Sequence, residues 1–416
     1  MDVTLKFTQN QMSKTEDNYT PLMSIGNVRD AYYFHKSFPE YSVTPLHSLK
    51  HMARYLGIDK LYVKDESYRF GLNAFKVLGS TFAAARYIGE QTSRDISELP
   101  YSVLCSDELC GEFGQATFFT ATDGNHGRGV AWAANRLGQR AVVYMPKGTT
   151  PARKEHIREL GARVTIEDMN YDNCVRKAAQ QAALTENGIL MQDTAWEGYS
   201  RIPSWIMQGY GTLALEADRQ MQADSCDCPT HIFIQAGVGS LAGAVIGYFA
   251  QKYREHPPIM VVAEANAADC MYRSACRGDG TLSTVGGDLE TVMAGLACGE
   301  ANPIAWDIFR NHAAAFASCP DWMSTRGTRM YAAPLGDDPH IISGESGSVT
   351  LGLLSCIMTR TSCQDIRDAL HLDEHSQVLL VSTEGNTDPV RYHEIIWDGL
   401  YGLEQPRIAG DFRMPE

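Results

Sequence analysis

The chain has 416 residues, 44% of them apolar and 21% charged, with a formal net charge of −14. This is the composition of a globular protein, and the length exceeds what one hydrophobic core usually serves, so two domains are expected. The acidic balance excludes the basic surface that nucleic acid or an anionic membrane requires, while leaving room for a local basic pocket that takes an anionic cofactor.

The first forty residues are polar and mixed, and are expected to wrap the surface. They lack the apolar run of a secretory signal, and the most apolar helical stretch, 241–250, is half a membrane span, so a soluble protein is expected. Eleven cysteines at irregular spacing, in a chain too large to need covalent staples, point to a reducing cytoplasm. Cys226 and Cys228 have no second ligand pair nearby; a surface loop is expected there, and no metal site anywhere.

In chain order, 60–67 reads as a strand ending in a charged loop and 73–90 as a helix capped by Asn73. A strand at 116–120, a turn at 121–125 and a helix at 126–138 follow. Then come a strand at 140–146 stopped by Pro146, a helix at 151–161, a strand at 162–167 and a helix at 171–185. The pattern resumes with strands at 231–237 and 258–265, a helix running to 250, a helix at 347–359, and a strand and loop at 377–386. Short apolar strands alternating with helices imply an α/β protein with largely parallel sheets. No low-complexity linker separates two halves, so the two domains should be interleaved.

Three local features carry chemistry. "QAGVGSLAG" (235–243) follows a strand and opens a helix, so its successive amides form a natural anion cradle, and Ser240 could add a hydroxyl. The run resembles a dinucleotide fingerprint, but Gly243 closes it one place late and only Glu264 is placed as a ribose partner; a purely structural turn is the alternative. Lys76 sits between Phe75 and Val77, either snorkelling to water or poised as a Schiff-base lysine, whose neutral amine low polarity favours. "ATDGNHG" (121–127) crowds Asp123, Asn125 and His126 at a helix start; Asp123 is a cap or a catalytic group.

Together with "MQDTAWEGY" (191–199), "VGGDLETVMAGLACGE" (285–300), "SGESG" (343–347) and "STEGNTDP" (382–389), these segments resemble the tryptophan-synthase-β-like (fold type II) family of pyridoxal-phosphate enzymes. Within it the chain is similar to the ammonia-lyase branch that acts on 2,3-diaminopropionate. The resemblance covers all but the first forty residues. It implies two three-layer αβα domains with mostly parallel sheets, a large one from 1–79 and 188–416 and a smaller inserted one at 80–187. The cofactor would lie between them, and the enzyme would be a cytoplasmic homodimer.

The resemblance also implies roles. Lys76 carries pyridoxal 5′-phosphate, and Gly237, Val238, Gly239, Ser240 and Gly243 surround the phosphate. Asn125 bonds the ring's 3′ oxygen. Thr383 faces the pyridine nitrogen; a hydroxyl there does not force the ring to stay protonated, which suits elimination over a long-lived carbanion. The small-molecule substrate carries two adjacent amines and leaves as pyruvate and two ammonia. Lys76 takes the α proton of the L isomer, Asp123 that of the D isomer, and Asp193 meets the distal amine. The amides of the 121–126 turn would hold the substrate carboxylate. His126 is read as packing or cofactor support before general base, and Glu345 lies where the family has residues near the ring, in a supporting place only. Cys270 and Cys298 match a pair near the site entrance, bonded or free. A threonine or serine dehydratase would share Lys76, Asn125 and the phosphate loop, but has no ammonium leaving group for Asp123 and Asp193 to manage. The plainer alternatives are a loop turn for Asp193 and a turn hydroxyl for Thr383.

Overall fold

The computed structural model describes residues 4–122 and 124–402. Its strands are β1 (Lys6–Gln9), β2 (Leu46–Ser48), β3 (Lys60–Asp65), β4 (Thr117–Ala121), β5 (Arg140–Met145), β6 (Arg163–Ile166), β7 (Gly188–Leu190), β8 (His231–Gln235), β9 (Ile259–Ala265), β10 (Ala315–Cys319) and β11 (Gln377–Ser382). They form two sheets, one of seven strands in the order β1-β10-β9-β8-β11-β3-β2 and one of four in the order β6-β5-β4-β7. The small sheet is wholly parallel. The large one is parallel except at its edges, where β1 and β2 run antiparallel. Central strands such as "HIFIQ" are buried along their whole length, because helices cover both faces. The small sheet extends to Leu190, three residues past the expected boundary at 187, because β7 pairs with β4.

The N-terminal forty residues depart from the expected surface wrap. β1 completes the sheet edge against β10, and the helix Ile25–Lys36 buries Val28, Ala31, Tyr32, Phe34 and His35. His35 is inaccessible. Burial pulls its imidazole down to about 3, and its two ring nitrogens bond Thr212 Oγ1 and the Leu78 carbonyl at 2.8 and 2.9 Å. The Cys226 loop also differs from expectation, since Cys226 is buried in the core while Cys228 is half-buried.

The helix after the lysine begins at Val77, not at 73. Asn73 is left-handed (φ +58°), Ala74 bridges Glu384, and the Phe75 amide donates to the Thr383 carbonyl at 3.1 Å. Pairing with the 383–385 segment thus holds residues 73–75 out of the helix, and Lys76 stands at its mouth. Small residues then let neighbouring helices in close. A Cβ on Gly209, in the helix Arg201–Ala223, would lie 2.5 Å from the Leu78 carbonyl. A Cβ on Gly129, in the helix Asn125–Arg136, would lie 3.0 Å from Val77 Cα. The lysine is therefore clamped between elements of the two sheets.

A buried ion cluster fixes the approach to that loop. Arg69 lies 2.8 Å from Glu66 and 2.7 Å from Glu216, and Lys64 lies 2.8 Å from Glu216. Burial alone would raise the Glu216 carboxyl, but Arg69 and Lys64 hold it down to about 2. Two cations answer two carboxylates, the arrangement that buried charge requires. Among the described residues no helix is long and apolar enough to cross a membrane.

Candidate active site

A cleft of about 520 Å³ opens between the two sheets. Asn125, His126 and Arg153 line it from the small-sheet side, and the 237–241 loop, Glu345 and Thr383 from the other. Lys76 Nζ reaches in and donates to Asp193 Oδ2 at 2.8 Å. Asp193 follows β7 and is almost fully buried, whereas the Lys76 side chain is 17% exposed. Burial would raise the Asp193 carboxyl; the charges of His126 and Lys76 overcome that and hold it at about 2. The pairing with Lys76 and His126 thus favours its carboxylate form.

His126 serves this carboxylate. Its Nε2 lies 2.8 Å from the Met191 carbonyl, which only accepts, so that nitrogen carries a proton. Its Nδ1 lies 3.7 Å from Asp193 Oδ2. Gln192 Nε2 and the Tyr171 hydroxyl approach the other carboxylate oxygen at 3.3 and 3.5 Å. Gln192 is held in turn by Thr120 and the Ala121 amide, both at 2.9 Å from its Oε1.

The glycine loop forms the expected helix start. Gly239, at φ +98°, precedes the helix Ser240–Lys252. A Cβ on Gly237 would lie 2.7 Å from the Gly295 carbonyl, so the loop is seated against the 294–298 segment. Two details refine the expected roles. The Ser240 hydroxyl donates to the Asp193 carbonyl and accepts from Asn302 Nδ2 at 2.8 Å, which leaves its backbone amide, rather than its hydroxyl, for an anion. The Gly243 amide is spent on the Gly239 carbonyl at 2.7 Å. Gly243 contributes closeness instead, since its Cβ would meet Met207 Cε at 2.9 Å and Ala305 Cβ at 3.0 Å.

On the opposite wall Asn125 Nδ2 donates to Glu384 Oε2. Thr383 Oγ1 accepts from Gln235 Nε2 at 3.1 Å. Glu345 begins the helix Glu345–Thr359; burial pushes its carboxyl up to about 7, with Arg153 opposing and Glu384 reinforcing the rise. Cys270 and Cys298 are both buried thiols, with Cys270 Sγ 3.9 Å from the Cys298 carbonyl, and Cys298 lines the cleft. Asp123 lies outside the described residues.

Sequence reasoning missed Gln192, Gln235, Tyr210 and Asn302. Both glutamines sit inside quoted motifs: Gln235 closes β8, and Gln192 lies two places past β7, next to Asp193. Tyr210 lies on a helix that no motif marks, and Asn302 caps another, Pro303–His312. Tyr210 lines the cleft, and its buried hydroxyl makes no hydrogen bond among the described residues.

A cleft that sets a lysine amine opposite an anion cradle, with a buried phenol that has no partner among the described residues beside them, fits a phosphorylated cofactor held covalently. The chain belongs to that class: a family model described as pyridoxal-phosphate dependent enzyme matches residues 38–384. More narrowly, it belongs with the diaminopropionate ammonia-lyases. It is 49% identical over 376 residues to the diaminopropionate ammonia-lyase of Salmonella typhimurium, covering 90% of this chain and 93% of that one. The crystal structure of the holo Escherichia coli diaminopropionate ammonia-lyase superposes with a TM-score of 0.88 at 43% identity, covering 97% of this chain and 99% of that one. The same enzyme in complex with an aminoacrylate–pyridoxal-phosphate azomethine reaction intermediate superposes with a TM-score of 0.87 at 43% identity, covering 96% and 99%.

Proposed function

We infer that the chain is a 2,3-diaminopropionate ammonia-lyase, converting the diamine and water to pyruvate and two ammonia. The observation that carries the substrate assignment is the buried, ionised Asp193 paired with Lys76 Nζ inside the cleft. A substrate losing a hydroxyl group has no use for such an anion, whereas one with a second ammonium does.

When bound, pyridoxal phosphate supplies the electron sink that acidifies the substrate's α hydrogen. The amides of the 237–240 loop hold its phosphate, with the positive end of the helix Ser240–Lys252 behind them. Lys76 Nζ anchors the cofactor and, once free, accepts the α proton on its own face. Asp123 accepts it on the opposite face, which gives the D isomer a base. Asp193 holds the distal amine as an ammonium, the form in which it can depart. The smaller domain, 80–187 with β7 added, closes over the cleft so that water enters only after the β amine has gone. A cytoplasmic homodimer completes this reading; light scattering on the purified enzyme tests the dimer.

The experiment is a comparison of kcat/KM for D- and L-diaminopropionate, serine and threonine, repeated with Asp123→Asn. The wild type should prefer the diamine, and the variant should lose the D isomer by a factor of about 100 or more while keeping most L activity. Equal loss on both isomers would refute the face-specific base, and a preference for serine or threonine would refute the substrate.

A further inference from the structure

The Gln235 side chain has a determined orientation. Its Nε2 lies 2.9 Å from the Val381 carbonyl, which can only accept, so the amide NH2 must face that way. The same nitrogen lies 3.1 Å from Thr383 Oγ1, and its second N–H therefore donates to the hydroxyl. Turning the amide over would set two oxygens face to face at Val381 and keep at most one of the two bonds. Gln235 is 2% exposed, so solvent does not loosen this choice.

The consequence falls on Thr383. A hydroxyl has one hydrogen and two lone pairs, and one lone pair is now occupied. No acceptor among the described residues takes the hydrogen, and Thr383 is buried and lines the cleft. A group meeting this hydroxyl from the cleft is offered a donor. A protonated ring nitrogen would have to donate to the remaining lone pair and leave the hydroxyl hydrogen buried without an acceptor, a costly arrangement. An unprotonated nitrogen gives the hydroxyl hydrogen an acceptor and leaves the Gln235 bond in place.

We propose that Gln235 is a positioning residue that fixes the Thr383 hydroxyl as a donor and so selects the unprotonated form of the cofactor's pyridine ring. This rests on the reading that Thr383 faces the ring nitrogen. The role fits the chemistry, because an unprotonated ring is a weaker electron sink. It suits a substrate whose β ammonium leaves at once, and it discourages reprotonation at Cα.

The test uses apo-enzyme reconstituted with pyridoxal phosphate labelled with 15N in the ring, observed by NMR at neutral pH, alongside the cofactor dissociation constant. Wild type should give the signal of a hydrogen-bonded, unprotonated pyridine. Gln235→Met keeps the side chain's length but removes the amide, and should move that signal. Gln235→Met and Thr383→Val should each weaken cofactor binding roughly 3- to 10-fold, the fold-change of one hydrogen bond. The double variant should match Thr383→Val in both readouts, because Gln235 reaches the ring only through that hydroxyl, its other bond being to the strand carbonyl of Val381. Thr383→Ser should restore the wild-type signal and its sensitivity to Gln235→Met. A pyridinium signal in the wild type, an unmoved signal in Gln235→Met, or additive losses in the double variant would each overturn the proposal. The wild-type signal alone suffices for that if a variant fails to fold. Borohydride reduction and peptide mapping separate the two readings: cofactor fixed elsewhere than Lys76 defeats the site, whereas cofactor on Lys76 with a protonated ring defeats only the role of Gln235.

Discussion

Asp193→Asn is the substitution with the most to lose. The carboxylate is buried, takes a hydrogen bond from Lys76 Nζ at 2.8 Å and faces His126 Nδ1 at 3.7 Å. Its carboxyl stands at about 2 against an ordinary 3.8, a difference on the order of 2 kcal/mol. The folded value is depressed, so this stability is fully present above pH 3.8 and is lost as the pH falls toward 2. The apo-variant should therefore melt lower than apo-wild type at pH 7 by roughly that free energy, and the gap should close between pH 4 and pH 2. Asparagine can still accept from Lys76, so the loss isolates charge from shape. With cofactor bound, kcat/KM for the diamine should fall by a factor of about 100 or more. Scanning calorimetry of both apo-proteins across pH, with pyruvate release as the activity readout, checks these together. A gap that persists unchanged at pH 2.5, or a variant as stable as wild type at pH 7, would refute the electrostatic account of this site.

Gly239→Ala places a side chain at φ +98° and 3.0 Å from Phe309 Cε2. The backbone cost alone is about 1–2 kcal/mol, so cofactor affinity should fall roughly 5- to 30-fold, read by titrating the apo-enzyme with pyridoxal phosphate. Glu345→Gln should act in the opposite sense to Asp193→Asn. Its folded carboxyl is raised from 4.5 to about 7, which costs the native state stability as pH rises through that window. The variant should be more stable than wild type at pH 8, by up to about 3 kcal/mol, and indistinguishable from it at pH 4, as calorimetry would record.

The α/β class and the central strands were legible because apolar runs such as "HIFIQ" and "QVLLVS" have one stable use, burial between helix layers. The helix Arg201–Ala223 escaped notice although it buries Trp205, Ile206, Tyr210 and Leu213. Buried on most sides, it carries small and polar residues where other helices cross, which blurs its period. β1 and β2 were invisible for another reason: edge strands of three or four half-buried residues carry no periodic signal. In the site, the motif residues Lys76, Asn125, His126, Asp193, Thr383 and the glycine loop do line one cleft. What the sequence could not show was their pairing. Asp193 and Lys76 are 117 residues apart, and Gln235 and Thr383 are 148 apart. Such partners become neighbours only through the strand order, which sets β8 beside β11.

That strand order also explains why anion cradle and amine are not independent devices. The Asp193 carboxylate holds Lys76, while the Asp193 carbonyl takes the Ser240 hydroxyl at the start of the cradle helix. Ser240 is held in turn by Asn302, whose backbone amide donates to the Val238 carbonyl at 2.7 Å. One residue just past the small sheet thus touches both the lysine and the start of the glycine-loop helix. If the 237–240 amides take the cofactor's phosphate as proposed, the same helix start also tethers the backbone of Asp193, whose carboxylate meets Lys76. On that reading, a substrate ammonium replacing Lys76 would meet a carboxylate whose backbone is already tethered to the start of the cradle helix. On the function proposed above, the contacts predict that cofactor binding precedes the diamine, with the carboxylate exchanging Lys76 for the substrate's ammonium in place.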